Sequence, residues 1–483
     1  MAQCRVARRL LLAAGASLLA TPALADDLRS ALVEAYQTNP QLQAARAQQR
    51  ATDENVPIER ADALPAASAT ASYSEFLKTS FESPTSPDRQ FSGQVSLGVP
   101  IYAGGGIRKS IRAAETRVEA GQADLRGAES GVFSQVVAAY MDVILNEAVV
   151  GLQRNLVEVL DVNLQATSDR FEIGDLTRTD VAQSQARLQL AKGDSRSAEA
   201  NLTGARERYI QVVGNAPGTL EPPPPLPNLP ESAEDAVAVA LENNPDLIAA
   251  RERSKAAQFD IDVAGSTRLP RVELFTSGSY TDYMGTLGGR THNQFDQSST
   301  GATAGVRATI PLFQGGRPAA LRRQAQARAS ATMESEIAAE RDVIAQVRAA
   351  YSSWRAANEI IASTQTAVDA AELSLEGVRA ENSVGNRTIL DILNAQQELL
   401  QAKVRLVTAR RNAYVAGFSL LAAMGRAEAQ DPGLNGGVLY DPDVNYRRGG
   451  GGGGGAGGAP PPQGAVPPPR APPPPDGGDR GEG

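Results

Sequence analysis

Few residues in this chain have the types and spacing that chemistry requires. Gly104, Gly105, Gly106, Lys109 and Ser110 form a glycine-rich run closed by Lys-Ser, the composition that cradles phosphate with backbone amides and an ammonium group. The glycine that precedes the lysine in such loops is missing. The repeat counterpart Gly315-Gly316-Arg317-Pro318 also lacks the Lys-Ser pair, so a strand-to-helix turn is the better reading. His292 is the single histidine, which argues against a histidine-based metal centre and suits a solvated loop. No acid/base pair or triad stands out, so neither an enzyme nor a bound cofactor is expected. What remains are charges at two related places: Asp180, and Arg387 with Asp391.

Those charges sit in a duplicated stretch. Arg170–Gln185 (RFEIGDLTRTDVAQSQ) recurs as Glu381–Gln396 (ENSVGNRTILDILNAQ) at an offset of 211. In each copy a helical pattern runs in, Gly174 or Gly385 breaks it, and a new helix starts at Thr177 or Thr388, three residues before Asp180 or Asp391. Threonine and aspartate at that spacing fit a capping box, which satisfies amide groups that a helix start leaves unpaired. The stretches are therefore tips of helical hairpins. Two readings of their charges stay open at this point. One is capping plus surface charge. The other is a mouth of an oligomeric tube, where Asp391 forms a ring of carboxylates and Arg387 reaches an acid such as Asp180 to hold the mouth closed.

Further repetition fixes the organisation. Ala35–Arg46 recurs as Ala240–Arg251, and Leu64-Pro65 as Leu269-Pro270, at offset 205. Val99-Pro100-Ile101-Tyr102 recurs as Ile310-Pro311-Leu312-Phe313 at offset 211. The halves are residues 28–214 and 233–425, joined by a proline-rich linker, 215–232, and differing by six residues inserted between Pro270 and Ile310. Each half opens with a helical pattern interrupted at Asn39-Pro40 or Asn244-Pro245. Strand-like runs follow, at 67–80 and 90–102, then 271–284 and 300–313. From Phe91 to Ile101 the odd positions are Phe, Gly, Val, Leu, Val and Ile, with Ser92, Gln94, Ser96 and Gly98 between them. Such alternation suits a barrel strand with one face to lipid and one to a wet lumen. Four strands cannot close a barrel, and unpaired backbone in hydrocarbon is costly, so the barrel must be shared among subunits.

Residues 1–25 read as an export signal: Arg5, Arg8 and Arg9 precede an apolar run, and Ala23-Leu24-Ala25 supplies a cleavage site. With the three arginines of that segment removed from 47 basic residues, 44 face 55 acidic ones, a net −11 that disfavours nucleic-acid binding. Cys4, the only cysteine, leaves with the signal, so no disulfide, thiol nucleophile or lipidation site is expected in the mature chain.

The pattern from Gly104 to Phe171 predicts one helix about 100 Å long. Leu145, Val149, Leu152, Leu156, Val159, Asn163 and Ala166 form one seam, and Val136, Val143, Val150, Val157, Leu164 and Phe171 another. Two seams imply neighbours on both sides, as in a cylinder of helices. Residues 426–446 form a C-terminal extension, and the Gly/Pro-rich tail 447–483 is expected to be disordered.

With these features in place, residues 28–425 resemble the TolC family of outer membrane channel-tunnels. The duplicated helix-helix-strand-strand-helix-helix order, the Leu-Pro at the strand starts and the tip Val384–Asp391 carry the likeness together. The resemblance implies an α+β membrane protein: a homotrimer whose twelve-stranded β-barrel sits in outer membrane lipid and continues as a periplasmic α-helical barrel. It implies partners too, a periplasmic adaptor and an inner-membrane pump of ABC or other type. Carried over by position, Asp391 and Asn394 lie at the constriction, with Arg387 and Asp180 in the bonds that close it. Gly174, Leu176, Thr177, Gly385 and Thr388 form the adaptor-docking tips, and Pro65, Pro100, Pro270 and Pro311 mark strand-helix hinges. Asn394 departs from an acidic residue often found there, and Asn382 from a tyrosine that can join the gate, so a weaker ring and an easier opening are expected. The opening stretch Asn39–Pro57 is most similar to members serving type I protein secretion, with small-molecule efflux as the alternative. A secreted coiled-coil structural protein or adhesin is the remaining rival; it leaves the recurring strand hairpins unexplained.

Overall fold

The computed structural model describes residues 27–78, 86–288, 293–429 and 439–450. The signal segment 1–25 with Cys4, the hairpin-tip residues 79–85, His292, part of the extension (430–438) and the tail from 451 lie outside the described residues.

Each half opens with short helices whose boundaries follow from capping. In the first half these are α1 (Leu28–Thr38), α2 (Pro40–Asp53) and α3 (Asn55–Ala61); in the second, α6 (Ala233–Asn243) and α7 (Pro245–Ser266). Asn39 and Asn244 each accept from the two amides that follow the proline, so proline occupies the first helical position, where its missing N–H costs nothing. The same asparagines donate outward, Asn39 to the Val212 carbonyl and Asn244 to that of Ala423, both at 2.9 Å. The break in each opening helix is thereby tied to the far end of its half.

The four strands are β1 (Ala66–Glu75), β2 (Arg89–Ala103), β3 (Arg271–Asp282) and β4 (Ser298–Thr309), antiparallel in chain order. Pro65 and Pro270 immediately precede β1 and β3, while Pro100 sits in β2 beside a bulge between Pro100 and Tyr102. Pairing aligns faces across the sheet: Val95 lies opposite Gly278, and Leu274 opposite both Val99 and Val306. One face is thus apolar, with Tyr73 opposite Phe91 at its loop end as an aromatic girdle. The other is rich in Ser, Thr, Gln and Gly, as the alternation requires.

β4 ends at Thr309, four residues short of the 313 expected from sequence, and β1 ends at Glu75 rather than 80. The β4 difference has a physical cause. Val99–Ala103 of β2 are paired by β3, whereas β4 is an edge, and Thr309 already meets Arg271, the first residue of its one partner strand. Ile310, Leu312 and Phe313 are consequently 61, 93 and 89% exposed, an apolar edge awaiting another strand.

Two long helices, α4 (Gly106–Glu172) and α8 (Arg317–Ser383), have 67 residues each, and return helices α5 (Arg178–Val213) and α9 (Ile389–Ala423) are about half as long. The glycine-rich run is a turn into α4: Gly104 and Gly105 have φ of 62° and 75°, and Lys109 pairs with Asp262 at 2.8 Å. Gly315 and Gly316 make the equivalent turn into α8.

The largest core brings α1, α4, α5 and α9 together around Phe133, Val136, Tyr140 and Val143, with Leu220 of the linker packed in. A second, around Val343, Val347, Leu247 and Leu420, joins α6, α7, α8 and α9. Of the two sequence seams, Val136, Val143 and Val150 are buried, whereas Leu145, Val149 and Leu152 are only partly covered within one protomer.

The extension ends in α10 (Asp443–Gly450), so residues 447–450, expected from sequence to belong to a disordered tail, are helical. Tertiary contacts override composition here. Tyr446 packs on Val56, Ala114 and Val118, and Gln122 donates to Asp443 at 2.9 Å.

Candidate channel gate at the helical tips

Both tips are self-capped turns. At each, the threonine amide and hydroxyl donate to one aspartate oxygen at 2.9 and 2.7 Å, and the aspartate amide returns a 3.3 Å bond to the hydroxyl. These are the capping boxes Thr177–Asp180 and Thr388–Asp391. Gly174 and Gly385 turn the chain with φ of 84° and 83°, a region where a side chain is strained. Hydrogen bonds from the threonine hydroxyl and amide hold the Asp180 and Asp391 carboxyls below the ordinary aspartate value. Arg387 adds a smaller push in the same direction at Asp391.

Within the protomer Arg387 does not meet Asp180. Its Nε donates to Glu381 at 2.7 Å across the turn, and that carboxylate raises the guanidinium's affinity for its proton. The first tip carries the same brace with signs reversed, Arg170 to Asp175 at 2.6 Å. Asn382 donates to the Arg387 carbonyl at 2.7 Å, fixing the loop. Thr177, Asp175, Glu381, Arg387 and Thr388 are solvent-exposed, as are Leu390 and Val384 beside them, while Asp180, Asp391, Arg170 and Asn382 are half-buried.

A few turns above, the two hairpins are joined. Leu156, Leu160, Leu188, Ala191, Leu393 and Leu400 form one apolar cluster. Polar links flank it: Arg187 donates to Asn394 at 2.9 Å and Asn163 to Gln396 at 3.2 Å. The Gln396 amide nitrogen is buried with no acceptor. Asn394 therefore belongs to the junction between hairpins. Arg187, Glu381 and Gln396 were not singled out from sequence, although Gln396 is matched by Gln185 in the repeat and Glu381 lies just before the glycine turn. Among the described residues, no cluster of His, Cys, Asp or Glu could hold a metal ion.

Comparison with known proteins agrees with this architecture. The sequence model of the family described as outer membrane efflux protein matches residues 31–215 and 236–426, one segment per half. The chain is 33% identical over 439 residues to outer membrane efflux protein BepC of Brucella suis, covering 90% of this chain and 93% of that one. It is 27% identical over 393 residues to alkaline protease secretion protein AprF of Pseudomonas aeruginosa, covering 78% and 79% of the two. The fold superposes on the crystal structure of the Campylobacter jejuni CmeC outer membrane channel with a TM-score of 0.72 at 16% identity, over 87% of this chain and 89% of that one.

The chain belongs to the outer membrane efflux protein family. It is an outer membrane channel of the TolC-like class, whose members are trimeric, with a periplasmic helical tunnel. Channels of this class are transport ducts working with adaptors and inner-membrane pumps, and no catalytic family is indicated.

Proposed function

We propose that this chain is the passive exit duct of a tripartite export machine, opened at its tips by a periplasmic adaptor while an inner-membrane pump supplies the energy. The observation that carries this reading is the contrast along α4, α5, α8 and α9. The cluster joining the hairpins is buried, whereas the ion pairs and capping bonds of the tip turns are exposed. Exposed ion pairs are worth about 0–1 kcal/mol each, so contact with a partner can rearrange the tips without melting the helices above. Gly174, Leu176, Thr177, Gly385 and Thr388 form the docking surface in this reading. In the trimer Asp391 lines the constriction, and Arg387 and Asp180 stabilise its closed form.

The cargo favoured is protein. The opening stretch Asn39–Pro57 and the similarity to the protease secretion protein AprF support this. Small-molecule efflux is the second reading, and the similarity to the efflux protein BepC supports it. Deleting the gene in its host and assaying both culture supernatant and drug susceptibility separates them. Loss of a secreted protein with unchanged susceptibility supports secretion, and the reverse supports efflux. A gate at Asp391 predicts a cation-selective pore in planar bilayers; selectivity unchanged by Asp391→Ala would remove Asp391 from the constriction.

A further inference from the structure

The inward face of the sheet is nearly uncharged. With Phe91, Val95, Leu97, Val99 and Ile101 facing lipid, the alternate positions face the lumen, among them Ser68, Thr70 and Ser72, Ser92, Gln94 and Ser96, and Ser277, Ser279 and Thr281. On that face the described strand residues carry charge at Arg271, Glu273 and Arg307, all within three residues of the helical end of β3 or β4.

These side chains form a built group. Arg307 donates to Glu273 at 2.8 Å, and its guanidinium lies 4.6 Å from the centre of the Phe275 ring. Phe275 in turn lies flat against the wall, because its cross-strand neighbour is Gly305. A Cβ at Gly305 would come within 3.1 Å of two ring carbons. Glycine thus lets the ring fold down, and the ring with Glu273 holds the guanidinium against the wall. Arg271 has no ion-pair partner among the described residues. Two arginines against one glutamate leave +1 per protomer and +3 around a trimer.

We infer that Arg271, Arg307, Glu273 and Phe275 form a positively charged collar where the helical tunnel opens into the barrel, and that it engages anionic groups, such as carboxylates, on the outgoing cargo. The inference rests on the duct reading for the sheet's inward face being a lumen. The collar and the acidic tip stand at opposite ends of 67-residue helices, about 100 Å apart and far beyond a Debye length of about 10 Å, so each acts on its own. A cargo therefore meets carboxylates on entering and guanidinium groups on leaving the tunnel. Glu273 sets the strength of the collar by neutralising one arginine of each pair.

The test uses Ser277→Cys, which places a thiol on the lumenal face one lumenal position beyond Phe275 in a mature chain with no other cysteine. Purified trimers are treated with an anionic sulfonate methanethiosulfonate and a cationic trimethylammonium one, and each rate is divided by that reagent's rate on a free thiol. The anionic reagent is expected to be favoured. The preference should fall on the order of fivefold in the Arg271→Gln, Arg307→Gln background and rise in Glu273→Gln, since local potentials of a few kT scale rates by such factors. Glu273→Gln keeps the size of the side chain, so the test survives if the double arginine variant fails to assemble. A thiol that reacts with both reagents at a ratio indifferent to all these changes overturns the collar and leaves the duct intact. A trimer whose thiol reacts with neither overturns the lumenal assignment itself, and the duct reading with it.

Discussion

Arg387 and Glu381 face each other across the second tip, Nε to carboxylate, at 2.7 Å, so the arginine expected to reach another acid is already held within its own turn. The pair is half exposed on both sides, so water and salt screen it and it adds little to stability. Replacing either partner should therefore leave the melting temperature almost unchanged. The two variants diverge in conduction if Arg387 also closes the mouth. Arg387→Ala removes the closing cation and should raise the mean open current in planar bilayers. Glu381→Ala frees Arg387 for other acids and should lower it. Equal effects from both would mean that Arg387 does no more than brace its own turn.

Capping gives the tips a defined response to acid. The Asp180 and Asp391 carboxyls are held below their ordinary value in the folded chain, so their bonds stabilise above the unfolded value and are lost as pH falls through the folded one. Acidification below about pH 4 should therefore fray α5 and α9 at their first turns before the helices unfold. Hydrogen exchange of residues 178–182 and 389–393 reads this directly. Thr177→Ala should produce the same local fraying at neutral pH, at a cost of about 1 kcal/mol.

The hairpin tips were legible because a capping box and a positive-φ glycine are local devices, written in adjacent residues and repeated at Thr177 and Thr388. The strands were legible where period two is strong, from Phe91 to Ile101. The end of β4 was not, because it depends on whether a partner strand is present rather than on the composition of 310–313. Neither was the pairing of Asn394 with Arg187, 207 positions apart, since sequence reading carries no register between helices. Helical residues 447–450 were hidden for the converse reason: glycine content argues for disorder, and only the contact of Tyr446 with α3 and α4 outweighs it.

Glu129 of α4 predicts a second, opposite pH dependence. It is buried beneath the C-terminal extension, and burial pushes its carboxyl up to about 7, although Arg46 of α2 and Arg126 of α4 pull it down. Glu428 raises it further, while the Ala429 amide donates to it and lowers it. Tyr36 of α1 faces the same space, with Arg46 stacked 4.2 Å from its ring. The folded value lies above the unfolded one, so the neutral form is favoured in the fold. Its contribution is fully present below pH 4.5 and is lost as pH rises through about 7, amounting to on the order of 3 kcal/mol. Unfolding midpoints should decline between pH 5 and pH 8, and Glu129→Gln should flatten that decline. A slope unchanged in Glu129→Gln would assign the pH dependence to other groups.

The exposed edge of β4 specifies how protomers join. Gly98 of β2 lies opposite Phe275 of β3. Offsets of 211 and 205 carry that pair to Thr309 of one protomer and Thr70 of the next, both on the lumenal face. Directly opposed residues have Cα atoms about 4.5–5.5 Å apart, within disulfide range. Inside one protomer Thr70 and Thr309 lie on β1 and β4, three strand spacings or about 14 Å apart, and cannot be bridged. The double variant Thr70→Cys, Thr309→Cys, built with Cys4→Ser so that the chain holds no other cysteine, should therefore oxidise to a covalent trimer on a denaturing gel without reductant. Thr70→Cys with Ile310→Cys, one residue out of register and facing opposite sides of the sheet, should cross-link far less. Equal cross-linking by both pairs would show that the seam does not repeat the β2–β3 register, and Ile310–Phe313 would then need a different partner.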